Sequence, residues 1–219
     1  MNRPYRVFFG SMRDEKLYSG FIKINHHNGY PYMTTYSPPQ TKADVIERLA
    51  DVQRGLIDTV SAMSNDQFYK GSAESWSAAD YLKHLLLSIK PLVKAIRLPK
   101  DQLQGMFGLA TGGSRSYEAF VELYTSMLSK GLRAEDYNAV VPATYRLPQS
   151  DKDEKTLLTE SWDDANTRLI DALAAWDESD LDVFQLPHPG VGMITLREML
   201  YFTLYHNTMH WGDIQRAGK

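Results

Sequence analysis

Three segments of this chain begin in the same way. Thr41-Lys-Ala-Asp44, Ser77-Ala-Ala-Asp80 and Thr195-Leu-Arg-Glu198 each place a hydroxyl three residues ahead of an acid, and each leads into an apolar run. In a helix the hydroxyl accepts a backbone N–H from the first turn, and the acid reaches back to the N–H of the cap residue. Two otherwise unsatisfied donors are thereby covered. The runs that follow recur at helical spacing. They are Val45, Ile46, Leu49, Val52, Leu56 and Val60; then Tyr81, Leu85, Ser88, Leu92 and Ile96; then Leu196, Met199, Leu200, Thr203, His206, Asn207, His210 and Ile214. Helices are expected from Thr41 to about residue 63, from Ser77 to about residue 97 and from Leu196 to about Arg216. Pro91 lies inside the second and is expected to kink it, and Leu98-Pro99 closes it.

Periodicity alone predicts two more helices. One runs from Ser116 to about Lys130 with Phe120, Leu123, Tyr124 and Leu128, and Gly131 ends it. The other runs from Glu154 to Trp176 with Leu157, Leu158, Trp162, Leu169, Ile170 and Leu173. Gly105 to Gly113 reads as a loop, residues 132–153 as a long connection, and Pro187-His188-Pro189-Gly190 as a turn. No strand ladder, internal repeat or low-complexity stretch stands out. A chain of 219 residues so patterned is expected to be all-α, an antiparallel helix bundle over residues 41–219.

Residues 1–40 are different in kind. They hold Tyr5, Phe8, Phe9, Tyr18, Phe21, Tyr30, Tyr32 and Tyr36 with no sustained period, and end in Ser37-Pro38-Pro39. Two readings stand side by side. The segment is an irregular aromatic arm that docks on the domain or on a partner subunit, or an extension upstream of a start at Met33.

Charge and composition exclude several function classes. A formal net charge of -3 without a dense basic cluster argues against nucleic acid as a partner. No apolar stretch approaches the ~20 residues that span a bilayer, so no membrane partner is expected. The chain has no cysteine, which removes disulfides, thiolate ligands and cysteine nucleophiles and suits a reducing cytoplasm, the expected location.

The chemistry-bearing residues are the histidines. His206 and His210 stand one turn apart on the face of the last helix expected to be buried, where two imidazoles can close on one metal ion. Two ordinary hydrogen-bonded core histidines would give the same pattern. A working metal site wants at least three ligands. His84, mid-way along its helix, is the best third candidate. His188, in the proline-flanked turn, is expected at a rim, and His26 and His27 read as exposed loop histidines. His-Glu-x-x-His, Glu-x-x-His, Walker A and Gly-x-Ser-x-Gly patterns are all absent. Three neutral imidazoles would leave a divalent charge uncompensated and a coordination position open, an arrangement suited to catalysis. Each ring would need an acceptor for its other nitrogen. Asp213 is a candidate near His206 and His210, and Asp80 near His84, although either could be a plain solvated charge. Trp162, Trp176 and Trp211 read as packing residues rather than substrate platforms.

The segments Trp76-Ser-Ala-Ala-Asp80-Tyr-Leu-Lys-His84-Leu-Leu86, Pro187-His-Pro-Gly190 and Thr195 through His206-Asn-Thr-Met-His210 resemble the DinB-like (DinB/YfiT) superfamily. The likeness covers about residues 41–217. It implies a DinB-like antiparallel four-helix bundle with an additional helix, and a divalent metal held by His84, His206 and His210 at the end of a pocket. Imidazole does not choose among zinc, nickel, iron and manganese. Characterised members include thiol-dependent S-transferases, a mycothiol-dependent isomerase and metal hydrolases, often dimeric. The resemblance therefore implies a homodimeric, metal-dependent thiol S-transferase or hydrolase acting on a small-molecule substrate, with a low-molecular-weight thiol as a possible second substrate. A non-catalytic metal-binding or stress-response bundle is the alternative. Two departures are plain: the aromatic arm has no counterpart, and Asp213 stands where many members carry glutamine.

Overall fold

The computed structural model describes residues 21–27, 30–72 and 75–218. The predicted helix starts are where the capping boxes place them. Thr41 opens α1 (Lys42–Ala62), Ser77 opens α3 (Ala78–Ile96) and Thr195 opens α7 (Leu196–Ala217), each with both reciprocal cap bonds formed. Ser116 and Asp153 cap α5 (Tyr117–Ser129) and α6 (Glu154–Ala174) through their side chains. Pro91 sits inside α3 without ending it.

Four of these helices make the bundle. α3 packs against α6 and α7, and α1 packs against the same two, so the pairs alternate around a common core, while α5 adds to the α7 side. Leu49, Leu56, Leu82, Leu86, Leu158, Trp162, Leu169 and Leu204 fill the centre, all essentially fully buried. Burying a side chain of this size stabilises by roughly 1.5–3 kcal/mol before chain entropy is counted, so this layer is the main source of cohesion. The tryptophans confirm the packing reading. The indole N–H of Trp162 donates to the Gln53 carbonyl at 3.3 Å, that of Trp176 to the Ile96 carbonyl at 3.0 Å, and that of Trp211 to the Thr59 hydroxyl at 2.8 Å. Gly55 makes the last contact possible, because a Cβ there would lie 2.3 Å from the Trp211 ring.

Four differences from the sequence reading have local causes. A short helix, α2 (Asn65–Tyr69), follows α1 behind a Ser64/Gln67 capping box. Another, α4 (Lys100–Phe107), occupies the first part of the stretch expected to be a loop and absorbs Gly105. The arm expected to be irregular holds an antiparallel hairpin, β1 (Phe21–His27) with β2 (Tyr30–Tyr36). Its register runs from Phe21 opposite Tyr36 to His27 opposite Tyr30. Residues 1–20 of the arm lie outside the described residues. The turn at Pro187–Gly190 is likewise flanked by strands, β3 (Gln185–His188) and β4 (Gly192–Thr195), each of 4 residues and too short to show an alternating pattern. Among the described residues, no helix is long and apolar enough to cross a membrane.

Arg197 fastens this hairpin region to α7. Buried at the start of α7, it forms ion pairs with Asp182 at 2.6 Å and Glu178 at 2.6 Å in the turn before β3. The hairpin's position over the end of the bundle is thus set from both sides, by these ion pairs and by the Thr195 cap that joins β4 directly to α7.

Candidate metal centre

α3 and α7 bring three histidines to one point. His206 and His210 lie on successive turns of α7 with ring centres 4.6 Å apart, and His84 reaches them from α3 at 4.9 and 5.0 Å. One nitrogen from each ring lies within 4.8 Å of the other two, and all three side chains are buried. Nε2 of His84 is 2.9 Å from Nε2 of His206.

The outer nitrogens decide what the inner ones can offer. Nδ1 of His84 is 2.8 Å from the Val140 carbonyl, which can only accept, so that nitrogen carries the proton and Nε2 presents a lone pair. Nδ1 of His210 is 2.8 Å from a carboxylate oxygen of Asp213, which can only accept, so Nδ1 carries a proton and Nε2 is the nitrogen left for a ligand. The lone pair of His84 beside two further imidazoles forms a pocket suited to a cation. Two imidazoles sharing one ion at metal–nitrogen distances of about 2.0–2.1 Å have their nitrogens ~3–3.4 Å apart, close to the spacing of His84 and His206. Nδ1 of His206 and the amide nitrogen of Asn207 have no hydrogen-bond partner among the described residues.

Electrostatics keep His84 and His206 uncharged and ready to ligate. Burial drives His84 down to about 3, and the neighbouring His210 adds to the effect. Burial, then the repulsion of His210, His84 and His188, holds His206 well below the usual imidazole range. For Asp213, burial works to raise the pKa, but the hydrogen bond and charge of His210 and the Arg216 guanidinium outweigh it and keep the carboxylate ionised. A carboxylate–imidazole pair of this kind fixes the ring's tautomer and raises its basicity as a ligand.

The histidines line a cavity of about 390 Å³. Its walls are mostly apolar, with Trp76, Leu87, Leu92, Phe107, Leu128 and Met199 among them. Among the described residues, Arg133 is the one Asp, Glu, Lys or Arg side chain that lines it. The Trp76 ring lies 5.2 Å from His84, and Phe202 stacks on His206 at 4.8 Å, so aromatic rings pack against two of the three histidines.

The residues picked from sequence divide cleanly. His84, His206 and His210 come together. Asp213 supports one of them, as its helical position suggests. Asp80 does not approach His84; its carboxylate caps α3 through the Ser77 backbone and hydroxyl. His188 is buried in the cavity wall at the end of β3, outside the three-histidine group. His26 and His27 fall in β1 rather than in a loop. The partner of His84, the Val140 carbonyl, comes from the connection before α6. No residue-type signal could reveal it, since every residue there offers a carbonyl.

Residues 68–214 match the family model of the DinB superfamily. That span is most of the bundle and contains all three histidines, and the chain belongs to this superfamily. No curated protein matches the chain.

Proposed function

Starting from that membership, we propose that the protein is a metal-dependent enzyme in which His84, His206 and His210 hold a divalent cation in the wall of the apolar cavity. Convergence of three buried imidazoles in the wall of an apolar cavity carries this reading. A divalent cation in that cradle supplies Lewis-acid chemistry, lowering the pKa of water or of a thiol at neutral pH.

The chain's own groups account for the rest. The Val140 carbonyl and Asp213 hold two rings in the tautomer that ligates. The aromatic and aliphatic walls exclude water, which strengthens every electrostatic interaction inside. Among the described residues the histidine group contains no carboxylate or fourth histidine, so the protein would leave the cation room for a reactant. A sealed structural site would instead supply a fourth ligand and have no use for an adjoining cavity. We assign the reaction to thiol S-transfer or hydrolysis. The nearly uncharged wall suits an apolar electrophile or ester as the group that enters the cavity.

Metal analysis and turnover together test this. The purified protein should take up one equivalent of zinc, nickel, iron or manganese, and His84→Ala, His206→Ala and His210→Ala should each lower that content sharply. A panel of low-molecular-weight thiols with a generic electrophile, run beside ester hydrolysis, should show a rate that a chelator abolishes. Metal content unchanged in all three variants would refute the ligand set. Metal uptake without either activity would favour a binding role.

A further inference from the structure

His188 lines the same cavity and is not part of the histidine cluster. Its Nδ1 accepts the backbone N–H groups of Gly190 and Val191, both at 3.2 Å. A neutral imidazole that accepts at Nδ1 carries its proton on Nε2. Burial pushes His188 down to about 4, so the ring is uncharged at neutral pH. Its Nε2–H donates to no group among the described residues, although the side chain is 7% exposed and set among apolar rings. Phe202 meets it edge-on at 4.3 Å and Tyr124 at 5.9 Å.

The ring cannot easily turn away. Pro187 and Pro189 flank it, and β3–β4 pairing places it opposite Gly192, whose φ of 89° closes the hairpin. The turn also presses on the cavity wall, for a Cβ on Gly190 would fall 2.6 Å from Leu132. Phe202 contacts both His188 and His206, 4.3 Å from one ring and 4.8 Å from the other. The donor therefore lies within those two ring steps of the cluster, at a different point of the same cavity.

We propose that His188 is a second anchor for the ligand: its Nε2–H donates to a carbonyl or ether oxygen of a mainly apolar molecule whose other end reaches the three histidines. This rests on the metal-enzyme reading and narrows it. The substrate class becomes an apolar compound with a reactive head and an uncharged oxygen acceptor a few bonds away. A polar group buried without its partner loses binding free energy, so such a donor also selects against analogues that lack the acceptor.

Cobalt-loaded protein tests the assignment with two probes, the hydroxamates of phenylbutyrate and of benzoylpropionate, which differ by one ketone oxygen. Visible absorption of the cobalt reports binding of the hydroxamate head. The wild-type protein should bind the ketone probe about tenfold more tightly than its partner. His188→Asn, whose side-chain oxygen can still accept from the turn but which has no distal donor, should load cobalt normally and lose the preference. His188→Gln, whose amide can reach the position of Nε2, should recover much of it. Equal affinities in the wild type, or a preference that survives in His188→Asn, would overturn the assignment. So would loss of cobalt from both variants, which would make the imidazole a prop of the fold. Failure of the wild type to load cobalt would instead overturn the three-histidine reading beneath it.

Discussion

Asp213 offers the sharpest test of how the cluster is built. Its carboxylate is 2.8 Å from Nδ1 of His210, and it also pairs with Arg216 one turn further along α7. A hydrogen bond to a charged group is worth roughly 1.5–3 kcal/mol in a partly buried setting. Replacing the carboxylate by an amide keeps an acceptor oxygen but removes the charge, so Asp213→Asn should lose about half of that, or about tenfold in metal affinity. Asp213→Ala frees the ring to rotate and to exchange tautomers and should reach the upper part of the ~10–100-fold range seen when such supporting groups are removed. Arg216 is a control, since its side chain is 56% exposed and a pair so open to water contributes only about 0–1 kcal/mol. Arg216→Ala should therefore weaken binding by no more than about fivefold. Zinc affinity measured by competition with a chromophoric chelator, on variants whose circular dichroism matches the wild type, reads all three. If Asp213→Asn and Asp213→Ala both bind zinc within about twofold of wild type, the supporting bond does not matter and the reasoning fails.

The metal-free protein should lose stability as pH falls. His84 is neutral in the fold down to about 3 but takes a proton near 6.5 when unfolded, so the unfolded chain binds more protons between those values. Stability is then fully present above the unfolded pKa and declines below it, by on the order of 2 kcal/mol near pH ~5 from this residue. Denaturant titrations should show a shallower decline for His84→Gln, and an equal slope would count against it. Gly55→Ala should destabilise by about 1–3 kcal/mol, because the new methyl enters the Trp211 ring, and a calorimetric scan should show the lowered midpoint. Gly105→Ala should do the reverse, raising stability by about 0.5–1 kcal/mol in the same measurement, since it lies inside α4 with nothing near a new Cβ.

Much of the architecture could be read from the chain because its signals are local. A hydroxyl and an acid three residues apart form a cap within a single turn, so the starts of α1, α3 and α7 were visible at Thr41, Ser77 and Thr195. The same locality placed His206 and His210 on one face, and the apolar period of α3 turned His84 inward. Short elements were harder to see. β3 and β4 are too brief for a period to develop, and α4 was hidden behind glycine, whose helix penalty of about 1 kcal/mol is small enough for surrounding contacts to override. Asp80 could have served the cap or the histidine. Its own helix end lay closer than the ring, and the cap won.

From its sequence alone, the chain is committed to helices with their caps, to a buried histidine face on α7 and to a third histidine on α3. Those features depend on residues at most a few positions apart, and a helix transmits them by its fixed 3.6-residue turn. Only the tertiary structure decided that the three rings meet, that Val140 lends a carbonyl to His84, and that Phe202 touches both His188 and His206. Each is a contact between distant parts of the chain. The bundle packing and the hairpin anchored by Arg197 set them, and neither spacing nor residue type encodes them.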